Sequence, residues 1–233
     1  HNPTGETMPA ELRARVLHDA ARQGSLVIAD ETTAEMDIDR PGEYLPFASY
    51  GDESTADSAI LVGSVGKTVW AGLRVGWIRA TPAIIRKLAA QRFAGDLGTP
   101  VLEQLVVAEL LRDFEPVIRL RSEQLRTGRE ELERLLALHL PDWHVPRVNG
   151  GLAVWANLGA PLSSQLALAA RSHGLLITAG PRFGIDGAFE RFLRIPIGYG
   201  NPELVRGVEA LAAAWRTVTT GPVAPSDLIA DVV

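Results

Sequence analysis

Two short apolar runs, Ser25-Leu26-Val27-Ile28-Ala29-Asp30 and Ala59-Ile60-Leu61-Val62-Gly63, constrain this chain more than any other feature. Each is apolar at consecutive positions and too brief for a helix, the pattern of a strand buried in a parallel sheet. The first follows an amphipathic helical stretch at residues 10–22, opened by Met8-Pro9 and stopped by Gly24. A third candidate strand covers residues 73–79, and Pro82 opens a helix that runs to Arg92. Strands alternating with helices at this spacing predict a parallel α/β sheet, whose ligands gather at the carboxyl ends of its strands. Asp30 and residues 64–67 fall at such ends.

Residues 40–58 carry Pro41, Gly42, Pro46 and Gly51 and read as loop. Residues 101–140 are helical in pattern, with Pro116 as the break between two helices. The second, at residues 117–140, is long, rich in Arg and Glu and apolar along one stripe, as a connector between lobes is. Beyond it the pattern gives strand (152–158), helix (163–173), strands (175–178 and 192–197) and helix (202–218), a small α+β domain. The expected division is therefore residues 1–115 and 116–233, the tail at 219–233 loosely held.

A chain of 233 residues buries a real core. Its net charge of -5 gives no global basic field for nucleic acid or an anionic membrane. It contains no cysteine, which excludes disulfides, thiolate metal sites and cysteine nucleophiles. No apolar run reaches the roughly 18 residues of a membrane helix and no signal peptide opens the chain, so a cytoplasmic setting is expected. The opening His1-Asn2-Pro3-Thr4-Gly5 has no methionine and reads as a loop inside a longer protein.

Of the 23 basic residues only Lys67 and Lys87 are lysine, so chemistry that needs an amine has two candidates. Lys87 sits in an Arg-bearing helix and reads as a solvated face. Gly66-Lys67-Thr68 resembles the end of a nucleotide-binding P-loop, but that motif requires a glycine where this chain has Leu61 inside a strand. A different chemistry suits the residues better. Lys67, Asp30, Ser64 and Arg74 supply an amine, an acid, a hydroxyl and a guanidinium in one strand-end region. These are the groups that hold a cofactor with an aldehyde, a ring nitrogen and a phosphate.

The segments His1-Asn2-Pro3-Thr4-Gly5, Asp30-Glu31-Thr32-Thr33-Ala34-Glu35, Ser64-Val65-Gly66-Lys67 and Gly72-Leu73-Arg74-Val75-Gly76, with Leu193-Arg194-Ile195 near the end, resemble the ordered signatures of fold-type I aminotransferases. The resemblance implies an α/β chain: part of the large parallel-sheet domain plus a small α+β C-terminal domain. It implies pyridoxal 5'-phosphate as cofactor, held by Lys67 as a Schiff base. Asn2 is then expected at the cofactor's phenolic oxygen, Asp30 at the pyridine nitrogen, Ser64 and Arg74 at the phosphate, and Arg194 at the carboxylate of an amino-acid ligand. Singly, each has a plainer reading: Asn2 as a turn residue, Asp30 as a cap, Arg194 as a strand arginine reaching for solvent.

Two departures qualify the resemblance. The enzymes carry a tyrosine at the phenolic oxygen where this chain has Thr32 and Thr33; Thr33 aligns better, and Thr32 stays open. The family's further phosphate contacts and its ring-stacking aromatic precede the Asn-Pro-Thr-Gly motif, ahead of His1. The run at residues 63–77 is similar to the MocR group of GntR-type transcription regulators, its YczR-like branch above all. That resemblance implies a homodimer, an amino-acid-like effector, and DNA contact only through an upstream module outside this chain, with no membrane role. The alternatives are a working aminotransferase and a bare dimerisation scaffold.

Overall fold

The computed structural model describes residues 1–40 and 45–220. The chain divides into two units: Thr7–Glu123, and His1–Glu6 with everything from Gln124 onward. The division falls between Glu123 and Gln124 rather than at 115/116, and the opening residues group with the C-terminal part.

In the first unit, helix α1 (Ala10–Arg22) has Glu11 in its first turn and Arg22 in its last, each complementing the helix dipole. Gly24, at φ +63, ends it: Gly24 N–H bonds the Ala21 carbonyl (3.2 Å) and Ser25 N–H that of Ala20 (2.9 Å). The reversal delivers the chain into β1 (Val27–Asp30), which pairs in parallel with β2 (Ala59–Ser64), Asp30 opposite Val62. The intervening chain includes two 3-10 turns, Phe47–Tyr50 and Glu53–Ser58, where only loop was expected. Residues 41–44, with Pro41 and Gly42, lie outside the described residues.

Strand β3 (Gly76–Arg79) lies antiparallel to β2, Ser64 opposite Gly76, which corrects the expectation of an all-parallel sheet. A parallel crossover needs a dozen or more residues, and residues 65–75 form only a turn and a 3-10 segment (Ala71–Leu73). The strand accordingly starts at Gly76 and not at Leu73. Burial corrects a second expectation. Strand β2 is buried at most positions, but β1 alternates, with Ile28 68% exposed, and β3 is exposed throughout. Helices α2 (Pro82–Gln91, Pro82 in its first turn) and α3 (Val101–Leu110) follow. Val65, Leu73, Val75 and Val107 form a buried cluster, with Val69 and Leu110 against it.

Helix α4 (Glu115–His139) carries Pro116 in its first turn and crosses the division between the units. In the second unit, β4 (Ala153–Asn157), β6 (Phe192–Pro196) and the two-residue β5 (Thr178–Ala179) form an antiparallel sheet in the order β4-β6-β5. The register sets Val154 opposite Ile195 and Ala156 opposite Leu193, a fully apolar and buried face. Leu132 and Leu136 of α4, Leu166 and Ala170 of α5 (Ser163–Ser172), and Leu204, Val208 and Leu211 of α6 (Asn201–Thr220) complete that unit's core. The β5 strand covers 178–179 and not 175–178. Thr219 and Thr220 belong to α6; the rest of the tail expected to be loose, residues 221–233, lies outside the described residues.

Candidate functional site

The turn that follows β2 holds the residues singled out from sequence. Val69 N–H bonds the Val65 carbonyl (2.8 Å), and Val65, Leu73 and Val75 anchor the segment from below. Ser64 Oγ donates to the Val75 carbonyl (3.0 Å) and accepts from Gly66 N–H (3.0 Å), stapling both ends of the segment together. Lys67 stands exposed on this anchored turn, while Thr68 beside it is buried with its hydroxyl unpartnered. Arg74 adopts a left-handed backbone (φ 53, ψ 28), unusual for a residue with a side chain.

Ser64, Gly66 and Arg74 line a cleft of about 800 Å³ together with Thr32 and Trp77. A methyl at Gly76 would come within 2.9 Å of the Gly63 carbonyl, so a side chain there would crowd the cleft wall. Of the two threonines, Thr32 lines the cleft; Thr33 is exposed and is not on its wall. Lys67 and Asp30 are not on the wall either. Asp30 Oδ1 accepts from Thr32 N–H (3.0 Å), and Glu31 N–H bonds the Val62 carbonyl (2.8 Å), which fixes how β1 hands the chain to this turn. Nearby in sequence, Glu35 is half-buried; burial pushes its carboxyl above the ordinary range, and Glu31 adds repulsion.

The volume suits a small cofactor, and an arginine with a serine hydroxyl on one wall suits an anionic phosphate. The Ser64 proton is directed at Val75, so the hydroxyl would have to rotate to donate to such a group. Among the described residues no tyrosine lines the cleft. Among the described residues no group of His, Asp and Glu gathers to hold a metal ion, and no helix is long and apolar enough to cross a membrane.

Asn2 and Arg194 belong to the second unit and are bonded to each other: Arg194 Nε donates to Asn2 Oδ1 at 2.9 Å. Burial lowers the Arg194 guanidinium pKa below the usual arginine value. Arg194 sits between Trp155 on β4 and Thr178 on β5 in the sheet register, on the face opposite the apolar core. Trp155 carries a cluster of three phenylalanines, and Trp77 joins the cleft wall. Sequence reasoning singled out neither tryptophan, because strand pairing, not local spacing, brings them there.

Residues 1–211 match the family described as aminotransferase class I and II. The chain is similar to 2-aminoadipate transaminase of Thermus thermophilus, 31% identical over 92% of this chain and 55% of that protein. It is also similar to the HTH-type transcriptional regulator YdfD of Bacillus subtilis, 28% identical over 91% of this chain and 44% of that protein. Among solved structures, the α-aminoadipate aminotransferase LysN from Thermus thermophilus, complexed with N-(5'-phosphopyridoxyl)-L-leucine, superposes with a TM-score of 0.84. It is 27% identical, covering 94% of this chain and 57% of that one. The chain spans about half the length of the relatives it matches.

Proposed function

The chain belongs to the class I and II aminotransferase family, whose cofactor is pyridoxal phosphate, and on that footing we propose that it is the effector-sensing domain of a GntR/MocR-type transcription regulator. The observation that carries this reading is the cleft wall. Thr32 lines it beside Ser64 and Arg74, and among the described residues no tyrosine lines that wall, where the enzymes use a phenol. A short hydroxyl binds a ligand edge but does not fill the volume of a tyrosine ring. Cofactor affinity is therefore kept while the support for fast turnover is reduced. Similarity to an HTH-type regulator supports the same reading. DNA contact then belongs to a module outside this chain, the working form is a homodimer, and the setting is cytoplasmic.

Bound pyridoxal phosphate supplies an electrophilic carbonyl and an electron-withdrawing ring. In our assignment Lys67 is the covalent attachment point, and the anchored turn restricts where its amine can reach. Arg74 and Ser64 take the phosphate. Asp30 has one carboxylate oxygen engaged by Thr32 N–H, and the other is assigned to hold a proton at the pyridine nitrogen. In the second unit Asn2 accepts with Oδ1 from Arg194. Arg194 has Nε occupied by Asn2, so its two terminal nitrogens remain for a ligand carboxylate.

The second reading, a working aminotransferase, is favoured by the 31% identity to a transaminase. The two separate in one experiment on the full-length protein loaded with cofactor and mixed with a panel of amino acids. A sensor binds one class of amino acid, changes its operator affinity and releases keto acid negligibly. Sustained keto-acid release at roughly one per second or faster overturns the regulator reading.

A further inference from the structure

The second unit presents a face that the roles assigned above do not use fully. In the β4-β6-β5 sheet, Val154, Ala156, Leu193 and Ile195 turn to the core, so Trp155, Phe192 and Arg194 share the other face. Directly opposed residues in an antiparallel pair lie side by side, and Arg194 has Trp155 on one flank and Thr178 on the other. The Trp155 ring stacks on Phe192 (5.2 Å between centroids, 4° between planes). Phe183 and Phe189 meet it edge-on at 5.4 and 5.9 Å. An arginine thus borders a wall of four aromatic rings, in a chain with 6% aromatic residues.

Core filling accounts for Trp155, which is 7% exposed, but not for Phe189, which leaves 46% of its surface to solvent. Phe189 also holds a left-handed backbone, φ 66, a conformation that side chains with a Cβ disfavour. The surroundings impose it. Glu190, next in the chain, accepts from Ser164 N–H (2.8 Å) and Ser164 Oγ (2.9 Å) at the start of α5. Phe192 N–H bonds the Phe189 carbonyl (2.8 Å), and a methyl on Gly180 would be driven into that same carbonyl oxygen. A strained residue that its neighbours over-determine, with its ring left partly open, marks a presented surface.

From this face we propose that the ligand taken at Arg194 is an amino acid with an aromatic or large apolar side chain, and that Phe189 with Trp155 and Phe183 selects it. The inference rests on Arg194 receiving the ligand carboxylate. Of the strand positions on this face, Arg194 alone is charged, so a second carboxylate on a dicarboxylic ligand has no strand cation to meet. An apolar side chain instead covers the open part of the Phe189 ring and removes apolar area of both partners from water.

The test uses the full-length, cofactor-loaded protein and equilibrium dialysis with radiolabelled L-phenylalanine and L-glutamate, a readout independent of turnover. The parent is expected to bind L-phenylalanine at least about tenfold more tightly. Phe189→Ala is expected to remove most of that preference, while Phe189→Tyr retains it and L-glutamate affinity changes less than about twofold in both. Phe183→Leu gives a second reading of the wall that leaves the strained position intact, and is expected to weaken L-phenylalanine selectively. Equal or tighter binding of L-glutamate by the parent, or parallel losses of both ligands in the phenylalanine variants, overturns the proposal. Arg194→Lys separates it from the reading beneath: if both ligands weaken, the carboxylate anchor stands whatever the wall does. If neither weakens, the anchor fails and the proposal with it.

Discussion

Asn2 and Arg194, 192 positions apart in sequence, meet through one hydrogen bond from Arg194 Nε to Asn2 Oδ1. The bond engages Nε of a half-buried guanidinium. It also ties the opening Asn-Pro segment to β6, and His1–Glu6 group with the C-terminal unit.

Two substitutions separate orientation from charge at this pair. Asn2→Ala removes the acceptor, and a hydrogen bond to a charged group is worth about 1.5–3 kcal/mol. Carboxylate ligands are expected to bind up to about tenfold more weakly, since only part of that energy concerns the bound state. Asn2→Asp keeps an acceptor but places an anion beside Arg194, which competes with the ligand carboxylate. The loss should be larger than for alanine, measured by dialysis. A smaller loss for aspartate would show that Asn2 does not act through the arginine.

Lys67 is expected to carry the cofactor covalently. Borohydride reduction of the full-length protein with pyridoxal phosphate, followed by peptide mapping, should place the label on Lys67. Lys87 lies exposed in α2, whose residues are nowhere buried, and Lys87→Ala should label like the parent. Label on Lys87, or undiminished label in Lys67→Ala, contradicts the assignment.

The parts of the candidate site that the sequence brings together are the local ones. Ser64, Gly66 and Arg74 come together because a short turn closes over Val65, Leu73 and Val75, and all of that lies in one contiguous segment. Strand β2 was legible for a similar reason, since its apolar run matches its burial. The direction of β3 was not, because residues 73–79 look the same in either orientation and only the length of the link decides. Local spacing does not separate Thr32 from Thr33; in the fold Thr32 N–H bonds the Asp30 carboxylate and Thr32, not Thr33, lines the cleft. The aromatic wall was invisible, as Trp155, Phe183, Phe189 and Phe192 come from three separate segments. Helix α6 runs past its expected end to Thr220, where Thr219 Oγ1 and Thr220 Oγ1 donate back to the Trp215 and Arg216 carbonyls (2.8 and 2.6 Å).

Arg74 combines a cation with a left-handed backbone, and two variants pull these apart. Arg74→Ala and Arg74→Gly both remove the phosphate contact and should weaken cofactor binding roughly tenfold to a hundredfold. Alanine keeps the strain, whereas glycine relieves about 1–2 kcal/mol. The glycine variant should therefore unfold at higher urea than the alanine variant, with equal cofactor loss. Equal stabilities would mean that the backbone conformation is not strained in solution.

Glu35 gives a pH dependence of defined sign. Its carboxyl is raised from the ordinary 4.5 by burial first and by Glu31 second, opposed by its own backbone hydrogen bond. The folded state therefore holds the proton more tightly than the unfolded chain. Stability from this group is fully present below pH 4.5 and is lost as pH rises through the folded value. Glu35→Gln should be more stable than the parent at neutral pH, by under about 1 kcal/mol because the side chain is only partly shielded, and the gap should close in acid. A gap that widens in acid reverses the sign and refutes the account.

The same substitution made at two helical glycines should give opposite signs. Gly128 lies in α4, and Gly207 in α6. In a helix interior, Gly→Ala ordinarily stabilises by about 1 kcal/mol, because glycine loses more backbone freedom on folding. At Gly207 that gain should appear, since an added methyl meets only Leu175 Cδ1 at 4.0 Å. At Gly128 the methyl would be driven into the Ile197 carbonyl oxygen, with the Tyr199 carbonyl 3.5 Å away. Backbone cannot rotate aside as a flexible side chain can, so α4 and the end of β6 must separate. Ile197 N–H is itself bonded to the Leu152 carbonyl (2.9 Å), which resists that movement. Overpacking of this kind costs roughly 1–3 kcal/mol, more than the helix propensity returns. Urea unfolding should thus place Gly207→Ala above the parent and Gly128→Ala below it. Stabilisation by both variants would show that α4 does not approach the chain at Ile197 as closely as described.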